Sequence, residues 1–290
     1  MSEKEEVKRK EGFQRGLIKL SRNRLSLIGT IFLCLIIPLS LFAPWIAPYP
    51  EDAYDAVHFE SQLQPPSFKH WSGTDEAGRD ILSRILYGGR ISLMMSVIAL
   101  AIAVSIGIPL GIAAGYYGGK IDQIVMRITD VFCTIPPLVL ALVFSVVLSP
   151  GLFTCMIAVG LAWWRSYCLI AYGETLSIKQ ETFVTVCRSF GTSNARIMFF
   201  EILPNMTSTI LVKLTLDAGY AILIGTAISF LGVGANPPTP EWGLMVAYGR
   251  HYLPSAWWAS FFPGLAIFLT VFSFNLLGDG LRDFLDVEVE

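Results

Sequence analysis

The chain has 290 residues, of which 53% are hydrophobic and only 15% charged, with a formal net charge of −2. A soluble domain carries about 25% charged residues. Several uncharged runs here reach bilayer-crossing length, which excludes the soluble classes and points to a membrane protein. No cationic surface of the kind that binds nucleic acid is legible. Cys34, Cys133, Cys155, Cys168 and Cys187 form no CxxC pair; they read as small core residues rather than a disulfide framework or a metal cage.

Residues 1–24 hold eight bases against four acids and lead into a full-length apolar run without a small-residue cleavage site. They read as a retained cytoplasmic segment, not a cleaved signal. Residues 25–47 form the first span, with Pro38 as a bend and Trp45 and Tyr49 marking an interface. Residues 48–90 form a 43-residue loop with seven acids and four bases. The excess of bases in the amino-terminal segment puts that segment inside and this loop outside.

Residues 91–114 form the second span and open the permease core, residues 91–278. Gly107, Gly111, Gly115 and Gly119 recur every four residues, which permits close approach of another helix, within this chain or across a subunit boundary. Arg127 and Asp130, three apart, can pair. The 34 uncharged residues of 131–164 overshoot one span, and Ser149-Pro150-Gly151 divides them. The expected third and fourth spans are residues 131–148 and 153–171, with Arg165 snorkelling near the inner end of the fourth.

Residues 177–204 are polar enough to lie outside lipid. Residues 177–191 read as a short amphipathic helix capped by Ser177 with Gln180 reciprocating. Phe183, Val186, Cys187 and Phe190 share one face, and Gly191 suits a left-handed end. Such a helix either lies on the bilayer or docks on another protein; its polar face is thin in basic residues, which favours docking. Residues 206–234 form the fifth span. Lys213 and Asp217 share a face there, as an ion pair or along an aqueous path. Residues 236–254 form an outer loop rich in Pro and Trp, and residues 256–278 the sixth span, where Asn275 reads as helix glue. Residues 279–290 are an acidic inner tail, so both termini are expected in the cytoplasm.

No phosphate-binding loop is present. Residues 114–121 lack the first Gly and the Ser or Thr after Lys120, so the chain has no route of its own to ATP. No catalytic constellation stands out. His58, His70 and His251 lie in predicted outer loops and make a poor metal-ligand set.

Five blocks carry a resemblance. They are GTDEAGRDILSR (73–84), AAGYYGGKIDQIVMRITD (113–130), FGTSNARIMFFEILPN (190–205), SFLGVGANPPTPEWG (229–243) and NLLGDGLRDFLD (275–286). In this order around six spans, the chain resembles the second membrane subunit of the dipeptide, oligopeptide and nickel family of ATP-binding-cassette importers, over residues 17–286. The resemblance implies an all-α membrane protein with six transmembrane helices in the type I importer fold, and no enzyme activity in this chain. It also implies a heterodimer with a homologous permease, two cytoplasmic ATPases that carry ATP and Mg²⁺, and an extracellular or periplasmic solute-binding protein. The family's ATPase-coupling loop falls on Phe183, Thr185, Val186, Cys187, Phe190, Gly191, Glu201, Leu203 and Pro204. Thr185 replaces the motif's acid, Val186 and Cys187 its alanines, Glu201 stands at a position often His, and Leu169 and Tyr172 stand where bases are common. Gly73, Thr74, Asp75, Gly78, Arg79, Asp80, Pro237, Pro238 and Trp242 are implied to face the receptor or brace an outer gate, although the turn chemistry of GTDEAGRD accounts for that loop on its own. The expected cargo is a dipeptide or oligopeptide. The alternatives are nickel or a nickel chelate, and, in a different class, an ATP-independent transporter or scaffold.

Overall fold

The computed structural model describes residues 24–285; the basic cluster before Arg24 and the last five residues of the acidic tail lie outside this range. The described residues form helices and turns, with a lone bridge between Thr74 and Asp80 as the only strand-like pairing among them. The chain divides into two compact units, Met1–Ser96 with Val212–Glu290, and Val97–Leu211.

In the first unit, α1 (Arg24–Leu41) packs on α9 (Trp258–Leu285). Contact is close because Gly29 has no side chain; a Cβ there would lie 2.6 Å from the Cβ of Leu276. Helix α2 (Ile81–Tyr117) begins ten residues before the expected second span. Asp80 accounts for the early start: its Oδ2 accepts from the Ser83 backbone N–H and hydroxyl, both at 2.8 Å, which is an N-cap. Helix α7 (Thr207–Phe230) is the fifth span, and α8 (Trp242–Gly249) folds what sequence reads as an outer loop into a short helix. Ile81, Trp242, Met245, Ala256, Trp258 and Ala259 form a buried cluster under the long loop. The sixth span runs seven residues past Gly278, so the start of the predicted acidic tail is helical.

In the second unit, α3 (Gly119–Thr134) and α4 (Pro137–Val147) meet at a bend of 96°, and α4 packs on α5 (Leu152–Ile178). The third span expected over residues 131–148 is bent at Pro136-Pro137. Ile135 precedes a proline and is driven extended (φ −101°, ψ 129°), so α3 stops at Thr134. Five described helices are long and apolar enough to cross a membrane, and six if the bent pair counts as one span. Helix α5 continues for thirteen residues beyond Arg165, which places that arginine mid-helix rather than near an end. It also absorbs Ser177, so the expected Ser177 cap does not form. The amphipathic segment is instead a separate helix, α6 (Thr182–Ser189), after a two-residue turn.

The glycine stripe packs within this unit. Gly107 faces the Trp164 carbonyl, Gly111 faces Cys168 and Ala171, and Gly115 lies against Thr175, all on α5. Gly119 meets nothing within 4 Å and serves the turn instead, at φ +56°. A Cβ on Gly111 would lie 2.8 Å from the Ala171 Cβ. Gly111→Val should therefore cost about 1–3 kcal/mol through overpacking and lower the apparent melting temperature of the purified complex by several degrees. Gly173→Ala, which meets nothing within 4 Å, should leave it unchanged or raise it.

Candidate functional site

Helix α6 and the segment after it form a compact knob. The helix closes with a Schellman motif: the Thr192 N–H reaches the Cys187 carbonyl at 3.1 Å, and the Gly191 N–H reaches the Arg188 carbonyl at 2.9 Å. Gly191 takes φ +76°, where a Cβ would be strained, so the expected left-handed end is present. Val184 is the one fully buried residue of the helix. Phe183, Val186 and Phe190 are 37%, 45% and 86% exposed, and Thr185 is exposed as well. Cys187 is half-buried. Among the described residues, Phe183, Val186 and Phe190 on the apolar face legible in sequence are left largely uncovered.

Tyr116, in the last turn of α2, ties the knob down. Its ring carries the Arg188 guanidinium 4.7 Å from the centroid, and its hydroxyl accepts from Arg188 Nε at 3.3 Å. The same hydroxyl donates to Asn194 Oδ1 at 2.9 Å. Lys179 Nζ donates to the Gly115 carbonyl at 2.6 Å. After α6, Ser193 caps the turn Asn194–Arg196, and Ile197–Ile202 follows as a π-helical turn with Ile197, Met198 and Ile202 buried. Glu201 is half-buried and its carbonyl accepts from Asn205 Nδ2 at 2.6 Å; Leu203 is half-buried and Pro204 exposed. Displacement of α6 is therefore resisted at three points, all at or beside the end of α2. Sequence reading found the apolar face but missed Tyr116, whose role depends on residues about 70 positions away.

The long loop after α1 is built around buried charge. Asp75 accepts from the Arg79 backbone N–H at 3.0 Å and from Arg79 Nε at 2.8 Å, and Arg84 Nε lies 3.4 Å away. Arg84 also donates to the carbonyls of Ala53 at 3.0 Å and Pro238 at 3.2 Å. Asp52 accepts from the Asp80 N–H at 2.8 Å. His58 and His70 pair with Asp52 and Asp80 at 2.7 and 3.0 Å, and no metal-competent cluster occurs among the described residues. Gly73 and Gly78 take positive φ to make the turns. Trp242 Nε1 donates to the Ile85 carbonyl at 2.9 Å, and Trp258 Nε1 to the Thr74 carbonyl at 3.3 Å.

Gly73, Thr74, Asp75, Gly78, Arg79, Asp80 and Trp242 are all buried; Pro237 is exposed and Pro238 half-buried. The polar groups of the buried residues hold the loop on α2 and α8. Burial raises the Glu76 carboxyl above its ordinary value, and the neighbouring Asp75 charge adds to the rise.

Two charged pairs were legible, one inside the fifth span and one between the second and third. Lys213 Nζ lies 2.8 Å from Asp217 Oδ1, four residues along α7, with Asp217 buried. Arg127 and Asp130 make no ion pair among the described residues; both side chains are exposed on α3, where no burial holds them together.

Glu241 was not singled out from sequence. It is fully buried and caps α8, accepting from the Gly243 and Leu244 N–H groups at 2.9 and 2.8 Å. An acid directly before an apolar run is the signal that could have found it. Burial pushes its pKa up to about 7 from the ordinary 4.5, against the lowering effect of these hydrogen bonds and of Ser229. The folded state therefore holds this proton more tightly than the unfolded state. Its contribution to stability falls as pH rises from about 4.5 to about 7 and then levels off. The melting temperature of wild type relative to Glu241→Gln should decline over that window and stay flat above it.

Five described helices, or six with the bent pair, long and apolar enough to cross a membrane define a multi-pass membrane protein. Residues 107–290 match the family described as binding-protein-dependent transport system inner membrane component, and residues 13–66 match the N-terminal TM domain of oligopeptide transport permease C. The chain belongs to this binding-protein-dependent permease family. It is 40% identical to the probable D,D-dipeptide transport system permease protein DdpC of Escherichia coli, over 92% of this chain and 89% of that one. It is 39% identical to the dipeptide transport system permease protein DppC of Alkalihalophilus pseudofirmus (94% and 88%), and 42% identical to the glutathione transport system permease protein GsiD of Escherichia coli (94% and 89%). Among solved structures, a chain of the MetNI methionine ABC transporter in inward-facing conformations matches with a TM-score of 0.54 at 19% identity, over 71% of this chain and 97% of that one. The fold is the type I importer permease fold. The protein is a non-catalytic, multi-pass inner-membrane permease subunit of an ATP-driven importer, working with ATPase and solute-binding partners.

Proposed function

We propose that this permease carries short peptides, pairs with a homologous second permease, and takes its driving force through α6 from one of two cytoplasmic ATPases that hold ATP and Mg²⁺. The uncovered face of Phe183, Val186 and Phe190 carries this reading. It is apolar, rigidly closed by the Schellman motif and clamped to Tyr116. A face of that kind fits a groove on a protein partner better than a bilayer surface, since Arg188, the single base within α6, is engaged inward.

When the ATPases close, α6 moves as a unit. The Arg188–Tyr116–Asn194 contacts pass the displacement to the inner end of α2, biasing the pathway between two packed states. Leu203 and Pro204 bound the same knob. The frame of Asp75, Arg79, Asp80, Arg84 and Trp242 acts as an outer gate support, with both termini cytoplasmic. Peptide cargo is supported by the names of the dipeptide and glutathione relatives.

Phe183→Asp with Phe190→Asp should leave the chain folded, because neither side chain is buried here, while uptake per ATP hydrolysed in the full complex falls about tenfold or more, the loss of two interface anchors. Normal uptake in that variant rejects the docking role. The same assay with labelled dipeptides and with nickel separates the peptide reading from the metal one. Cysteines introduced at Pro65 and Thr192 should react with membrane-impermeant reagent from the outside and the inside respectively; the reverse pattern overturns the orientation.

A further inference from the structure

Arg165 is out of place for a membrane span. It sits thirteen residues into the 27-residue α5, about 20 Å along the helix from Leu152. Helix α4, eleven residues long, covers about 16 Å between the same Ser149–Gly151 turn and its start at Pro137. Measured along the helices from that turn, both distances fall within the thickness of a hydrocarbon layer of about 30 Å. Arg165 and Pro137 line one cavity of about 150 Å³, together with Cys133, Trp163, Ser166 and Leu169. That is room for a carboxylate and several waters.

An arginine within a membrane span needs a counter-charge or water. The acids of the same unit are Asp122, Asp130, Glu174, Glu181 and Glu201, and none forms an ion pair with Arg165. Asp122 instead accepts from the Tyr172 hydroxyl at 3.2 Å, and Glu174 from Thr209 at 3.1 Å. No carboxylate lines the cavity. Beside Arg165 stands the Ser166 side chain, and the start of α4 at Pro137, which has no side-chain cap, adds the positive end of a helix dipole. Every polar feature of the lining favours an anion, and a guanidinium takes a carboxylate in bidentate fashion.

We propose that this cavity is a carboxylate-binding site on the transport path, in which Arg165 holds the C-terminal carboxylate of a peptide in transit. The peptide part rests on the cargo reading above; the carboxylate part does not.

The site is tested in the complete transporter, in proteoliposomes with saturating solute-binding protein, using alanyl-alanine and its C-terminal amide. Wild type should prefer the free acid about tenfold or more, the size expected for a buried charged hydrogen bond. Arg165→Gln should reduce that preference to within about twofold, and Arg165→Lys should keep part of it, a point charge replacing a fork. An unchanged preference in Arg165→Gln, or equal loss for acid and amide, overturns the site and marks a structural arginine or one paired with an acid of the second permease.

An independent readout uses the native Cys133 in the cavity wall as the sole thiol, with Cys34, Cys155, Cys168 and Cys187 replaced by Ala. A water-soluble thiol reagent should modify Cys133, and propionate but not propionamide should slow it, an effect lost in Arg165→Gln. Modification that propionate does not slow, or no modification with or without ATP, also overturns the site. If propionate protects but wild type takes up neither peptide, the carboxylate site stands and the peptide cargo falls.

Discussion

A chain in hydrocarbon has no water to satisfy its backbone, so each helix runs until some residue forbids it. The rest of this structure depends on where those limits fall. Asp80 satisfies the orphan Ser83 N–H and lets α2 start within the long loop after α1. Pro136 removes a donor and forces Ile135 extended, which breaks the third span near its middle. The turn after Ile178 releases α5 into a separate knob. Each break also places a distinct feature: a buried ionic frame, a cavity beside Arg165 and an exposed apolar face.

The knob and the frame solve opposite problems. The frame spends its charges internally: Asp75, Arg79, Arg84, Asp80 and Asp52 are all buried, and nearly every contact is a charge-assisted hydrogen bond. Breaking any one would strand a buried charge, so the frame holds as a unit. The knob instead leaves its apolar residues uncovered and uses polar contacts only on its inner side, at Tyr116. The proposed docking role calls for a surface rigid behind and open in front, and among the described residues α6 has both properties. The cavity beside Arg165 is a third case, a half-buried charge with no carboxylate in the cavity walls.

Spans and class were legible because long uncharged runs are a one-dimensional signal that packing cannot reverse. The apolar face of α6 and the left-handed Gly191 were legible for the same reason, since both depend on spacing within one turn or two. The errors came where two local signals compete. Ser177 and Gln180 form a plausible cap, but α5 continues through Ser177 because its helix is already propagating and extension costs less than a new start. Arg127 and Asp130 have pairing distance in sequence but no burial to make pairing favourable.

What the sequence determined by itself is the membrane class, the approximate places where the chain crosses, the apolar stripe of the knob, and the family's motif order. Those are set by composition and by periodicities of a few residues. Only the tertiary structure decided that Gly107, Gly111 and Gly115 meet α5, that the outer motif residues are buried supports, that Tyr116 clamps α6, and that Arg165 faces a cavity with no acid in its walls. Each of those joins residues tens of positions apart. The physical reason is that contact between distant segments depends on which helix faces are left to meet after each helix has found its ends.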